Sequence, residues 1–209
     1  TELIESKERQ FSSILEVLAA SIDARDPLTS GHSAKVTEYA VGICQELKMD
    51  SQYCEMIRVA ALLHDYGKIG VPDSILNKAG SLNDKEYEIV KTHASRTRTI
   101  LERVNFEGVY KEVPIIAGAH HERYDGQGYP QGLAGEEIPM GARIIAVADF
   151  FEAVTAQRHY HQPMAHEQAL DLMQAKTQSH FDPRVVDAFM RYHKANPDLV
   201  LVRKKAAQG

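Results

Sequence analysis

The sequence predicts an all-α protein, on three observations. Apolar residues recur at steps of three, four and seven through most of the chain, no segment alternates as a half-buried strand would, and glycine or proline separates the periodic stretches. The 209 residues suit one domain with an accessory segment. A composition 44% hydrophobic and 25% charged excludes a disordered chain. Twenty-four basic against 29 acidic residues leave a net charge of −5, so no global positive field attracts a nucleic-acid polymer or an anionic membrane. No apolar run approaches the ~20 residues of a spanning helix, and no signal-peptide pattern is present. With Thr1 rather than Met in first place, a fragment of a longer, cytoplasmic protein is expected.

The elements follow in order. Ile4, Phe11, Ile14, Leu15, Leu18 and Ile22 form one stripe on a long first helix, which Asp26-Pro27 stops. Its first half is charged and polar, as in a connecting helix, and its imperfect heptad makes it a candidate dimerisation segment. A second helix follows Gly31, with Val36, Tyr39, Ala40, Ile43 and Leu47 on one side, and a third runs from Ser51 to Asp65. Gly67, Gly70 and Pro72 break the chain. Ser81 with Asp84 reads as a capping box before Tyr87, Ile89 and Val90. Short helices are expected over 97–104 and 113–122, then a long loop over 123–138 rich in glycine. Pro139 opens a helix through Phe151, and two more follow Pro163 and Pro183. Cys44 and Cys54, each inside an apolar helical pattern, read as reduced core thiols in a reducing compartment.

Ten histidines are the unusual feature. His32, His64-Asp65, His93, His120-His121 and Asp149 each fall near a predicted helix end, beside a breaker. Helix ends in a bundle can converge on one cavity. Imidazole with carboxylate suits iron, manganese, nickel or zinc, and not magnesium or calcium. Seven such ligands exceed one ion's need and match two ions sharing a bridging carboxylate. Singly, each has a bland reading: a lone histidine is more often hydrogen-bonded than metal-bound. His64-Asp65 closes a strongly apolar helix, where a charge is costly unless paired.

The order of the motifs carries a resemblance. His64-Asp65-Tyr66-Gly67-Lys68-Ile69-Gly70 resembles the signature of the HD phosphohydrolase superfamily. His120-His121-Glu122 followed by Tyr124-Asp125-Gly126-Gln127-Gly128-Tyr129-Pro130 resembles its HD-GYP subfamily, over about residues 24–184. The resemblance implies a compact multi-helix HD-type bundle with the GYP loop beside a metal site. It divides the chain into a connecting helix (1–22), a catalytic domain (23–202) and a frayed tail (203–209). It implies hydrolysis of the bacterial second messenger cyclic di-GMP to pGpG, and in some members on to GMP. His64, Asp65, His93, His120, His121 and Asp149 match metal ligands, with Asp65 the bridge. His32 matches a ligand of a third site in trinuclear members, but Leu28 stands where those members have glutamate. A binuclear iron or manganese centre, with nickel or zinc as alternatives, is therefore expected, His32 being a third-site or spare ligand, and pGpG the main product. Lys68 matches the active-site lysine that offsets charge on the phosphoryl oxygens. Arg158, Tyr160 and Tyr129 match substrate contacts.

Three positions depart from the pattern: Glu152 for aspartate, His159 for proline and His161 for arginine or lysine. A histidine at 161 would make a phosphate contact pH-dependent. The GYP loop reads either as turn chemistry or as a gate and docking surface, the family's partner being a GGDEF-type cyclase. An upstream sensory or receiver domain is a further expectation. Two competing readings stand beside this one: an HD hydrolase of another cyclic dinucleotide, and a module that binds the nucleotide or a cyclase without turnover. Activity is expected to fall below about pH 6, because imidazoles must be neutral to bind metal. His166, His180 and His193 read as solvated or helix-terminal, and Arg96, Arg98 and Arg103 near Lys91 as a solvated basic face.

Overall fold

The computed structural model describes residues 2–25, 31–157 and 162–197. Leu28, Arg158, His159, Tyr160, His161, the side chain of Ile4 and the tail over 203–209 lie outside the described residues. The elements are α1 (Glu2–Arg25), α2 (His32–Glu46), α3 (Ser51–Leu62), a 3-10 turn (Tyr66–Gly70), α4 (Asp73–Leu76), α5 (Asp84–Leu101), α6 (Val113–Gly118), α7 (Met140–Thr155), α8 (His166–Ala175) and α9 (Pro183–Ala195). Short 3-10 turns occupy Gly108–Tyr110 and Gly135–Glu137. Strand-like pairing among the described residues is confined to two isolated bridges. The all-α expectation holds.

α2 and α7 are the central pair. Val36, Tyr39, Ala40 and Ile43 of α2 meet Ile144, Ile145, Val147, Ala148 and Phe151 of α7, all buried, and α3, α6 and α9 close around them. Phe151 is boxed by Tyr39 and Phe189 at ring distances of 5.4 and 4.7 Å. Burial of such side chains contributes ~1.5–3 kcal/mol each. Leu15 and Ala19 bring the second half of α1 into this core and Ile22 is also buried, whereas Ile14, expected on the same stripe, is exposed with Leu3 and Val17.

Three expectations are corrected. The capping box before α5 is built from Asn83 and Glu86, not Ser81 and Asp84: the Asn83 side chain accepts from Glu86 N and Glu86 accepts from Asn83 N. Glu86 is also paired with Lys78 at 2.6 Å, which favours this register. The separate helix over 97–104 is the last part of α5, which runs unbroken to Leu101 because Ala94, Thr97 and Leu101 are buried on one face. α6 ends at Gly118, so His120 and His121 lie on the turn beyond it. His166 and His193 open α8 and close α9 as expected of helix-terminal residues, but they are half-buried, 3.1 Å apart, and both pack on Phe151.

α5 lies directly on the turn after α3. Gly67 permits this approach: a Cβ there would sit 2.0 Å from the His93 carbonyl oxygen and 2.5 Å from Thr97 N. Thr97 Oγ1, fully buried, accepts from Gly67 N and donates to the His64 carbonyl at 2.8 and 2.9 Å. Gly67→Ala is expected to force α5 off the turn and cost ~1–3 kcal/mol, as overpacking does. A thermal melt checks this. An unchanged midpoint would show that the close approach is not needed.

Candidate metal centre

The chemistry-bearing residues come from five elements, mostly at their ends. His32 opens α2, His64 and Asp65 follow α3, His93 lies within α5, His120 and His121 follow α6, and Asp149 lies within α7. The structure gathers them into two adjoining groups. Asp65, His93, His120 and His121 present ligand atoms within 4.8 Å of one another, as do His32, His64 and Asp149. His32, expected as a third-site or spare ligand, thus faces the same pocket as His64, with its Nε2 3.3 Å from Asp149 Oδ1.

Asp65 joins the groups. Its Oδ1 is 3.3 Å from His93 Nε2 and 3.9 Å from His120 Nε2, while Oδ2 is 3.5 Å from His64 Nε2 and 3.7 Å from His32 Nε2. Lys68 Nζ lies 2.7 Å from Oδ2. Burial pushes the Asp65 carboxyl up, but Lys68 and the surrounding imidazoles outweigh it and hold it well below the usual carboxylate range. For Asp149 burial again acts upward, and His32 and His64 reverse it, so its carboxyl is also lowered.

The imidazoles are held in one tautomer. Nδ1 of His64, His93 and His120 faces the carbonyl oxygen of Ala61, Val90 and Ala117, each three residues earlier, at 2.6, 2.7 and 2.6 Å. A carbonyl can only accept, so Nδ1 carries the proton and the Nε2 lone pair faces inward. His32 reaches the same state through a carboxylate, its Nδ1 donating to Glu152 Oε2 at 2.6 Å. The inward lone pairs then face one another, with Nε2 to Nε2 distances of 3.3 Å for His32 and His64 and 3.4 Å for His93 and His120. Two lone pairs at that distance repel unless a cation lies between them. The donor set of imidazole nitrogen and carboxylate oxygen, with its outer hydrogen bonds in place, fits a pair of divalent transition metal ions.

Burial, reinforced by neighbouring imidazoles, pushes His121 down to about 3 and lowers His120 as well, and His93 is lowered by burial with the Lys68 charge beside it. His32 is the exception: burial lowers it, but the Glu152 hydrogen bond and the charges of Asp149 and Asp65 raise it overall.

The GYP loop closes one side. The Tyr129 ring packs 4.8 Å from the His121 ring, Tyr129 N donates to the His121 carbonyl, and Lys91 Nζ lies over the Tyr129 ring, 5.2 Å from its centroid. Burial raises the Tyr129 phenol, so it stays protonated. Glu122 anchors the loop from beneath: buried, it accepts from Gln131 N at 2.7 Å and Leu133 N at 3.0 Å. Gly128 lies against the Glu122 backbone, where a Cβ would be 2.5 Å from Glu122 Cα. Sequence reasoning quoted Glu122 as part of a motif and Glu152 as a departure without assigning either a role. It missed Arg25, Thr97 and Arg96, whose partners are 26 to 48 residues distant.

A family model for the HD domain matches residues 16–185. The chain belongs to the HD domain family. Among its HD relatives, a cyclic di-GMP phosphodiesterase of Thermotoga maritima is 39% identical over 186 residues, covering 89% of this chain and 50% of that protein. A 3′3′-cGAMP-specific phosphodiesterase of Vibrio cholerae is 38% identical over 185 residues, covering 88% and 40%. The HD chain thus spans half or less of the relatives' length. The crystal structure of a cyclic GMP-AMP-specific phosphodiesterase from V. cholerae superposes with a TM-score of 0.66 at 19% identity, over 86% of this chain and 48% of that one, which establishes the shared fold. No helix among the described residues is long and apolar enough to cross a membrane.

The lowered histidines predict an acid-labile apoprotein. Below the ordinary value of 6.5 the unfolded chain takes up protons that folded His93, His120 and His121 refuse. Each therefore removes up to about 1.4 kcal/mol per pH unit as pH falls through that window. His32, shifted the other way, opposes this only between 6.5 and its own raised value. Chelator-treated protein should show a falling melting temperature from pH 6.5 to 4.5. A melting temperature constant over that range would contradict burial of the neutral imidazoles.

Proposed function

We propose that the chain is a metal-dependent phosphodiesterase that hydrolyses cyclic di-GMP. The observation that carries this reading is the Asp65 carboxylate, with one oxygen toward each of two imidazole groups whose lone pairs point inward. His64, His32 and Asp149 would hold one cation, His93, His120 and His121 the other, with Asp65 shared. When bound, such a pair supplies Lewis acidity to a phosphodiester and a water acidic enough to lose its proton near neutral pH. Iron or manganese suits this mixed nitrogen and oxygen set.

The protein's own residues do the rest. The Lys68 ammonium, beside Asp65 and half-buried, can meet charge that develops on the phosphoryl oxygens. Tyr129 and the Glu122-anchored loop would wall the centre on the His121 side and exclude bulk water from it. Arg158 and Tyr160 remain the proposed substrate contacts, outside the described residues. Leu28 in place of a further carboxylate supports two cations rather than three, and pGpG as the main product. A second reading, hydrolysis of a mixed guanine-adenine cyclic dinucleotide, is favoured by the 38% identity to a 3′3′-cGAMP-specific enzyme.

Protein loaded with manganese or iron should linearise cyclic di-GMP, with pGpG accumulating ahead of GMP on chromatography. Asp65→Ala should lower the rate by at least ~10³-fold and metal content by at least one ion while the fold persists. A faster specific rate on 3′3′-cGAMP selects the second reading. No turnover of either nucleotide by metal-loaded wild type contradicts the proposal and leaves a binding module.

A further inference from the structure

Arg25 closes α1, and its guanidinium reaches into the turn that follows Asp65. Nη1 donates to the Lys68 carbonyl at 2.9 Å and Nη2 to the Val71 carbonyl at 2.7 Å. Nε and Nη2 also bond Asp73 Oδ1, at 3.0 and 2.8 Å. The two carbonyls lie in and just beyond the 3-10 turn Tyr66–Gly70; the Lys68 carbonyl also accepts from Val71 N at 3.0 Å, so Arg25 supplies its second hydrogen bond from outside the turn. From the other side, Arg96 of α5 donates to the Gly70 carbonyl. The turn is therefore gripped between α1 and α5. Its carbonyl at residue 68 is held by the Arg25 guanidinium as well as by Val71 N, and the ammonium of the same residue lies on Asp65 at 2.7 Å.

We propose that Arg25 is a positioning residue for Lys68, so that α1 sets the geometry of the reacting centre. This rests on the reading of Lys68 as the group facing the phosphodiester. The Asp73 carboxylate is 70% exposed, and an ion pair of that kind contributes little. The half-buried bonds to the two carbonyls are the positioning element, and they need the planar fork that arginine has and lysine lacks. Any rotation or sliding of α1 carries the guanidinium with it and shifts the backbone of Lys68. The hydrogen bonds of Arg25 among the described residues go to Lys68, Val71 and Asp73, none of them a metal-ligand candidate, so its effect on the reaction passes through the turn.

The test uses the metal-loaded full chain and three variants. Arg25→Ala and Arg25→Lys should each lower kcat about tenfold or more, since a misplacement of about 1 Å can cost ~10²-fold. KM, metal content and melting temperature should stay near wild type. Asp73→Ala should stay within about twofold of wild type, as expected for an exposed pair. Millimolar methylguanidinium should restore part of the Arg25→Ala rate, which a purely structural defect would not allow. Amide exchange over residues 66–71 should quicken in both Arg25 variants and not in Asp73→Ala. Wild-type kcat in both Arg25 variants overturns the proposal. So does a loss that Asp73→Ala reproduces, or one that merely follows metal loss without rescue. If Arg25→Ala does not fold, Arg25→Lys alone carries the kinetic test. If wild type turns over neither cyclic dinucleotide, the functional reading falls, and exchange decides the positioning role: unchanged exchange over 66–71 overturns it.

Discussion

Asp65 is a carboxylate that folding removes almost entirely from water, beside a cluster of histidines that folding also buries. Isolated, such a charge would be protonated or would unfold the site. Lys68 and the imidazoles keep it ionised, and its two oxygens then face opposite groups as electron-pair donors a cation could share. The rest of the architecture keeps these partners within reach. α5 is pulled against the turn by Thr97 and admitted by Gly67, α6 stops short so that His120 and His121 turn inward, and α7 brings Asp149 and Glu152 on one face.

The local backbone explains why imidazole works at these positions. A histidine at a helix end finds an unused carbonyl three residues back, and His64 and His120 use it to fix Nδ1–H. His93 does the same from within α5. Nε2 is thereby aimed into the cavity without any further device. His32 opens α2, and its Nδ1 donates to Glu152 of α7 instead of to a carbonyl. His32 consequently differs in basicity from the imidazoles of the other group: burial lowers His93, His120 and His121, while Glu152 helps to raise His32. The pocket holding His32 should bind its cation with a different affinity from its neighbour.

Much of this was legible in the sequence. The apolar stripes of α2, α3 and α7 are long and regular, and His64-Asp65 and His120-His121 stand as ordered pairs near glycine breakers, whereas His93 and Asp149 lie inside helices and were legible only through the order of the motifs. The misread elements were those where two local solutions compete. Ser81-Asp84 and Asn83-Glu86 are both capping patterns, and the choice turned on the Lys78 partner of Glu86. The stretch from His93 to Thr99 is rich in serine and threonine and weakly helical, yet packing of Ala94, Thr97 and Leu101 keeps α5 continuous. Contacts between distant segments had no local signature. Arg25 with Lys68, and His32 with Glu152, are separated by 43 and 120 residues.

The central claim is that one buried carboxylate is shared by two cations. Anomalous diffraction from crystals of the manganese-loaded protein tests it most directly. The account predicts two peaks about 3.5–4 Å apart, one on each side of the Asp65 carboxylate. A single peak, or peaks away from Asp65 with His64 and His93 unliganded, would contradict it.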